Sequence, residues 1–355
     1  MDSGVLERVG GVQSDHKGWI QSPAFDLTFF ALSPLIGLVL AVIGLQYAGS
    51  VPAILVAATY WIGVPHYLAS FAFYMGDENR SYAREFWLLF YAGPILICVA
   101  VAVLYLGGAG NIVHAVLFVW NIYHVATQSS GILSLYRRLA GGSDSERVRA
   151  HRTIVFANAA MAFWFLDRFP PLWNLLVGVH PELPQLLKWS CLVAALSYGV
   201  AYARALRIRA AQMSPAEATF LTSSLLLFTP YLWLDDSQFA TLAMLVGHFI
   251  QYLAIVWLLN RRKYGSLKGS RTQRWLGRFG ESWRVVAIFM LVAGILFLLL
   301  DRGSQAFRLY TGFMILFNSL ALAHFWLDGL IWAFKNPYIR RTVGPYLTLE
   351  ANRLP

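Results

Sequence analysis

Long apolar runs separated by short polar connections make up most of the chain. A run of about 20 apolar residues is long enough to cross a bilayer as a helix. The pattern predicts an all-α bundle of about ten membrane-spanning helices. Their expected ranges are 27–47, 51–74, 86–106, 111–135, 153–173, 186–203, 217–234, 239–259, 284–301 and 306–334. Because no connection is long enough for a soluble domain, we expect one transmembrane domain over 27–334, with tails over 1–26 and 335–355.

Basic residues concentrate in the connections that follow the even-numbered predicted helices. Arg80, Arg84, the arginines between 137 and 152 and the loop 261–284 all fall there. Of the 28 Lys and Arg residues, the only ones on the other side are Arg168, Lys188, Arg302 and Arg308. Lysine and arginine are retained in cytoplasmic loops. Both termini are therefore expected in the cytoplasm, in a multi-pass protein of the plasma (inner) membrane if the source is prokaryotic.

Composition supports a membrane protein and excludes several functional classes. Hydrophobic residues make up 58% of the chain and charged residues only 13%, against about 25% charged in soluble domains. Membrane topology accounts for the net charge of +10, so no nucleic-acid partner is expected. The two cysteines, Cys98 and Cys191, lie in apolar runs and provide neither a disulfide framework nor a cysteine metal motif.

Two stretches leave alternatives open. Asp167 and Arg168 precede Pro170 and Pro171, which places them at the outer interface, where the proline pair would end the fifth predicted helix. The alternative is a buried charged site. In the basic loop 261–284, apolar residues (Trp275, Leu276 and Phe279) indicate either an amphipathic helix on the inner leaflet or a solvated connection.

Four of the eight histidines lie well inside predicted helices. His16, His114, His151 and His180 fall in tails, loops or helix ends, whereas His66, His124, His248 and His324 lie within the second, fourth, eighth and tenth helices. All four of these helices run inward in the predicted topology. Each of the four histidines is about 8 to 11 residues from the inner end of its helix, a depth of about 12 to 17 Å. The sequence therefore predicts four imidazoles at one level of the bilayer.

A polar residue follows each of these histidines one helical turn further inward. These residues are Ser70, Gln128, Tyr252 and Asp328, and Gln251, Tyr67 and Tyr123 add polarity nearby. Positions i and i+4 share a helix face, so we expect Gln128, Gln251, Ser70 and Asp328 to orient the histidines. Asp328 could also bind a metal directly, and Tyr252 could donate a proton. We therefore assign catalytic roles to Asp328 and Tyr252.

Four neutral imidazoles at one depth predict a transition-metal site. We expect iron, with copper or zinc as alternatives, and the spacing leaves one or two ions open. The simpler alternative is that each histidine hydrogen-bonds across helices without a metal. An intramembrane metal suits a membrane lipid or isoprenoid substrate, with dioxygen as a co-substrate. The chain has no phosphate loop or dinucleotide fingerprint, so any electrons would come from the substrate or a partner protein.

The element Gly63-Val64-Pro65-His66 resembles the bacterial and archaeal β-carotene dioxygenases of the Brp/Blh type. His66 corresponds to the histidine of their Pro-His-Gly element, while Tyr67 replaces the glycine, and Ala69-Ser70 replaces the following Ala-Leu-Asp. The resemblance implies a polytopic fold, iron held by intramembrane histidines and cleavage of a carotenoid to retinal.

Three other functions use similar residues. A haem-binding cytochrome would employ histidine pairs, usually at two depths rather than the single depth found here. A proton- or metal-coupled transporter would more often show internal repeats and paired broken helices. A membrane desaturase or hydroxylase usually has clustered histidine boxes, which this chain lacks.

Overall fold

The computed structural model describes residues 18–140, 147–209, 213–265 and 270–347, and these ranges contain helices and turns but no strand. The helices are α1 (Pro23–Ala31), α2 (Ser33–Gln46), α3 (Val51–Met75), α4 (Asp77–Glu85), α5 (Leu88–Leu106), α6 (Gly110–Leu139), α7 (Arg147–Ala162), α8 (Pro170–Val179), α9 (Leu183–Arg209), α10 (Pro215–Leu226), α11 (Pro230–Trp233), α12 (Ser237–Tyr264), α13 (Arg271–Glu281), α14 (Trp283–Ala306), α15 (Tyr310–Ile331), α16 (Pro337–Thr342) and α17 (Gly344–Leu347). The all-α prediction is confirmed for the part of the chain that the structure describes.

Six helices in these ranges are long and apolar enough to cross a membrane: α3, α5, α9, α12, α14 and α15. The pair α1 and α2, bent by 44°, makes a seventh if it counts as one span. This supports a multi-pass membrane protein. The total of about ten spans and the side on which the termini lie stay predictions.

Three of the predicted helices are interrupted, and the first of them, 27–47, is bent between Ala31 and Ser33. The prediction of one helix over 153–173 is wrong, because α7 ends at Ala162 and Pro170 begins α8. Proline has no amide hydrogen and fits the first turn of a helix, where that hydrogen would be unpaired. Likewise α10 ends at Leu226 and the short α11 begins at Pro230. The final predicted helix, 306–334, is shorter than expected and spans Tyr310–Ile331.

Asp167 and Arg168 lie in the turn between α7 and α8, not in a buried site. Asp167 is exposed. Arg168 pairs with Asp235 at 2.9 Å and donates to the carbonyl of Leu234 at 3.1 Å. Because Asp235 belongs to a connection that the charge pattern assigns to the outer side, these contacts agree with the interfacial alternative.

Prolines widen three helices locally. The π-helical segments Leu27–Ala31, Ala58–Gly63 and Leu88–Ala92 are each followed closely by a proline, at positions 34, 65 and 94. Proline cannot donate to the carbonyl four residues earlier, so that carbonyl is available to side chains. The carbonyl of Phe30 accepts from Gln251 at 2.8 Å, and that of Phe90 accepts from Tyr74 at 2.5 Å.

The helices divide into an inner and an outer group. In α12, 72% of the most apolar window is buried within the protein, and in α15 56% is buried, against 11% in α5 and α9. The outer helices expose large apolar side chains, as expected of lipid-facing surfaces. Small residues allow neighbouring helices to pack closely: a Cβ at Gly37 of α2 would collide with the carbonyl of Ala243 in α12.

The described parts of both predicted tails pack against the end of α12. Arg262 donates to the carbonyls of Ile20 at 2.6 Å, Tyr346 at 3.0 Å and Leu347 at 3.2 Å. Ile20 and Leu347 are fully buried. Both ends of the described chain therefore meet at the same end of α12.

The basic loop contains a helix. Ser270 and Gln273 form a reciprocal capping box at the start of α13. Leu276 and Phe279 are buried, whereas Trp275 is exposed. Of the two alternatives for this stretch, the helix is the one that forms, with Leu276 and Phe279 buried within the protein. Its position on the inner leaflet stays a prediction.

Candidate metal centre

Four inner helices bring the intramembrane histidines into one cluster. His66 lies on α3, His124 on α6, His248 on α12 and His324 on α15, and each is at most 5% exposed. The ring centroid of His66 is 4.4 Å from that of His324 and 4.8 Å from that of His248. The centroid of His124 is 5.0 Å from that of His324 and 5.3 Å from that of His248. Residues far apart in sequence thus form one compact group of imidazoles.

Proline and glycine shape the position of His66. The π-helical turn Ala58–Gly63 precedes Pro65, which fits this widened part of α3. A Cβ at Gly63 would come within 2.8 Å of the Phe249 ring. Glycine therefore allows α3 and α12 to approach closely, which places His66 and His248 side by side.

The Nε2 atoms of all four histidines are buried and have no hydrogen-bond partner among the described residues. Nδ1 of His66 is also without one. A buried polar atom without a partner costs about 1–3 kcal/mol. The cluster therefore contains four buried nitrogen atoms that no described residue hydrogen-bonds and that are available to bind a metal ion.

Asp328 is the centre of a hydrogen-bond network beside the cluster. Its Oδ1 accepts from Ser70 at 2.5 Å and from Tyr252 at 2.8 Å, and its Oδ2 accepts from Gln128. The Ser70 hydroxyl also lies 2.7 Å from Nδ1 of His324 and 2.7 Å from the Tyr252 hydroxyl. Ser70 therefore links the carboxylate to the ring of His324 and restricts its rotation.

Two overlapping triads could hold a metal ion. One contains His66, His124 and His248, and the other contains His124, His324 and Asp328; within each, the ligand atoms lie within 4.8 Å of one another. Oδ2 of Asp328 is 3.7 Å from Nε2 of His324 and 3.9 Å from Nε2 of His124. The buried His and Asp groups could therefore hold a metal ion, and His124 belongs to both triads.

Aromatic rings cover the cluster, and of these only Tyr67 was expected there from the sequence. His66, His248 and His324 are each followed directly by an aromatic residue. Phe249 lies 4.7 Å from the His66 ring, Phe325 lies 4.4 Å from the His124 ring, and Tyr67 lies 5.3 Å from the His324 ring. The repeated histidine–aromatic dipeptide was the signal that could have identified this apolar wall.

Trp332 is a further contact that the sequence did not indicate. Its Nε1 donates to the Tyr252 hydroxyl at 3.4 Å. It follows the last residue of α15, one turn after Asp328, so the i+4 spacing used for the histidines could have found it.

Two residues expected near the site point elsewhere. Gln251 was predicted to orient the histidines, but it donates to the carbonyl of Phe30, which Pro34 leaves without an amide partner. Tyr123 is 53% exposed, because neighbouring positions on a helix face different directions.

The remaining histidines lie outside the cluster. His114 contacts the Tyr105 hydroxyl at 2.8 Å, and His151 contacts the Ser130 hydroxyl at 2.8 Å. His180 is exposed, and His16 lies outside the described residues. These partnered or exposed side chains agree with the ordinary roles expected for them.

Comparison with protein-family models, with curated proteins and with solved structures gave no match. The resemblance of residues 63–66 to the β-carotene dioxygenases therefore stays a prediction.

Proposed function

We propose that His66, His124, His248 and His324 hold a transition metal, and that the protein is a membrane oxygenase acting on a long apolar lipid or isoprenoid. The observation that carries the proposal is the group of four buried Nε2 atoms without a hydrogen-bond partner among the described residues. Metal-bound histidines typically use one ring nitrogen as ligand and donate the N–H of the other. His324 fits this arrangement, because its Nδ1 lies 2.7 Å from the Ser70 hydroxyl and its Nε2 is buried without a hydrogen-bond partner among the described residues.

The donor set supports iron, with copper or zinc as alternatives. Imidazole binds all three metals, and a carboxylate beside several histidines is typical of non-haem iron. Cys98 is exposed, and Cys191 packs in a separate apolar cluster, so no thiolate contributes. The two triads are compatible with one ion in either triad, or with two ions if the His124 ring bridges them through both nitrogens.

The surroundings favour an apolar substrate. The cluster lies among inner helices, and the rings of Tyr67, Phe249 and Phe325 border it. Bound iron would supply activation of dioxygen. A dioxygenase that places both oxygen atoms in its substrate needs no electron donor, whereas a hydroxylase would need a redox partner. Together with the Pro65-His66 element, these features support a carotenoid or another isoprenoid as substrate.

Individual residues have separate tasks in this proposal. Asp328, through Ser70, holds the ring of His324 in one orientation. Tyr252 has a hydroxyl 2.8 Å from the Asp328 carboxylate and is the group placed to donate a proton near the cluster.

Ring spacing argues against haem at this centre. A haem between two axial histidines lies flat between their rings, so no third side chain can lie between them. The most distant of the measured pairs, His66 and His124, has centroids 6.5 Å apart, and His324 lies within 5.0 Å of both. That third imidazole occupies the space the macrocycle would need.

Elemental analysis and alanine variants test the metal site. Protein purified without chelators should carry about one or two transition-metal ions per chain. Alanine at any of the four histidines should lower that content, whereas His114→Ala should not, since His114 is a partnered histidine outside the cluster. Metal-free wild-type protein that retains its function would overturn the proposal.

Isotope-labelled dioxygen tests the oxygenase assignment. Iron-loaded protein should convert β-carotene into aldehydes whose carbonyl oxygens are labelled. Labelled product from an unsaturated fatty acyl lipid, but not from carotene, would reassign the substrate. Metal binding without oxygen uptake for either substrate would contradict the oxygenase and leave the metal site in place.

A further inference from the structure

A narrow cavity begins at the hydrogen-bond network of Asp328 and continues away from the histidines. Ser70, Tyr252 and Trp332 line one end, and Asn79, Asn260 and Lys263 line the other. Its volume is about 50 Å³. One water molecule needs about 10–15 Å³ of cavity volume, so the cavity has room for about three to five water molecules.

The cavity follows one face of α12. Tyr252, Val256, Asn260 and Lys263 all line it, with the spacing of residues on a single helix face. From Tyr252 to Lys263 the helix rises about 16 Å. This row of four side chains therefore leads from the histidine cluster to the end of α12 where both ends of the described chain meet.

The far end of the cavity reaches charged groups near the surface. The Lys263 ammonium pairs with the Glu78 carboxylate at 2.7 Å, and the Glu78 side chain is 37% exposed. The hydroxyl of Tyr338 donates to the side-chain oxygen of Asn79 at 3.1 Å. Polar groups thus occur at both ends, while Phe73 and Val256 contribute apolar walls between them.

Polar cavities of this size hold water, whereas purely apolar ones stay dry. We propose that this cavity holds a short file of water that connects the Asp328–Tyr252–Ser70 network with the Lys263 end of α12. It would let water and protons exchange between the cluster and that face of the protein, which the charge pattern assigns to the cytoplasm. The proposal does not depend on the metal, because water could reach the network with or without a bound ion.

Hydroxyl-radical footprinting by X-ray radiolysis tests the proposal on the whole, unmodified chain. The radicals form from water and oxidise side chains next to it. Tyr252 and Tyr136 are a matched pair, at 2% and 1% exposure, and each hydroxyl donates to a buried carboxylate. Tyr252 lines the cavity and Tyr136 does not. We expect oxidation several-fold faster at Tyr252, and equal rates would overturn the proposal.

The variant Asn260→Leu tests the route. An apolar side chain of similar size should exclude water and reduce Tyr252 oxidation to the rate of Tyr136. If this variant does not fold, Val256→Phe is the second test, because the larger apolar side chain should fill the same cavity and exclude water from it. Unchanged Tyr252 oxidation in a folded variant would show that water arrives by another route, and the proposed path would be wrong.

Metal-free protein is the deciding sample, since bound iron could itself generate radicals near Tyr252. A high Tyr252 to Tyr136 ratio in protein that never binds metal would support the water path and contradict the proposed metal site. The two proposals can therefore fail separately.

Discussion

Two buried carboxylates, Asp26 and Asp328, each accept a hydrogen bond from a buried tyrosine, but their surroundings differ. Asp26 accepts from the backbone amides of Ile20 at 2.6 Å and Gln21 at 3.0 Å, and from Tyr136 at 3.1 Å. These donors tie the N-terminal segment to the bundle. Asp328 lies beside imidazoles whose Nε2 atoms have no partner in the described part of the chain.

The difference separates a structural network from a candidate metal-binding site. Around Asp26, polar groups of the protein pair with one another, which is how buried polar groups are ordinarily stabilised. Around Asp328, the imidazole Nε2 atoms are buried at a free-energy cost, without hydrogen-bond partners among the described residues. They are therefore available to bind a metal ion. Substitutions at the two carboxylates should therefore affect different properties.

Asp26→Asn should have the largest effect on stability. Its amide nitrogen would face buried donors, and leaving such groups without an acceptor costs about 1–3 kcal/mol each. We expect the free energy of unfolding to fall by about 2–4 kcal/mol, as measured by denaturation in detergent. Metal content should be unchanged, and a loss of metal in this variant would break the distinction between the two centres.

Asp328→Asn should mainly weaken metal binding. The amide oxygen can still accept from Ser70 and Tyr252, and the Gln128 amide can turn so that its oxygen accepts from the new amide group, so the fold is largely kept. Removing the carboxylate from beside metal-bound histidines typically reduces affinity by about 10–100-fold. Titration of metal into the metal-free variant measures the effect, and wild-type affinity would show that Asp328 is not coupled to the metal.

His66→Leu sharpens the comparison further. Both ring nitrogens of His66 lack partners among the described residues, and leucine is an apolar side chain of similar size. The metal-free variant should be as stable as wild type to within about 1 kcal/mol, or more stable, because no hydrogen bond is lost. It should also bind metal poorly. A large loss of stability in the metal-free variant would mean that His66 has a structural role.

The Glu78–Lys263 pair should give the smallest effect. Burial raises the pKa of Glu78, but the ammonium of Lys263 outweighs it, so the pKa lies below the ordinary value of 4.5. A lowered carboxyl pKa stabilises the fold above pH 4.5, and the contribution is lost as pH falls through the folded-state value. Glu78→Gln should remove this acid-side dependence, and the change should be small because Glu78 is partly exposed. An identical stability–pH profile in the variant would contradict the assignment.

Apolar runs predicted many helices closely. The expected ranges 51–74 and 86–106 correspond to Val51–Met75 and Leu88–Leu106. Hydropathy did not predict the break directly after Ala162, since residues 163–166 continue the apolar run up to Asp167. Pro170 lies in the first turn of α8, a preference of proline that the sequence could have indicated.

The grouping of the histidines could be predicted because depth in a membrane follows from sequence distance along a helix. Rotation about the helix axis was harder to predict. Gln251 points away from the cluster because Pro34 frees the Phe30 carbonyl, which is a contact between distant helices. Ser70 links His324, Tyr252 and Asp328 only because α3, α12 and α15 converge.

X-ray absorption spectroscopy of the purified protein tests the central claim most directly. We predict a transition metal whose nearest neighbours are nitrogen or oxygen, with the outer-shell scattering of several imidazole rings. That scattering should weaken in His124→Ala, because His124 belongs to both triads. Protein that holds no metal after gentle purification, or a metal without imidazole ligands, would contradict the account.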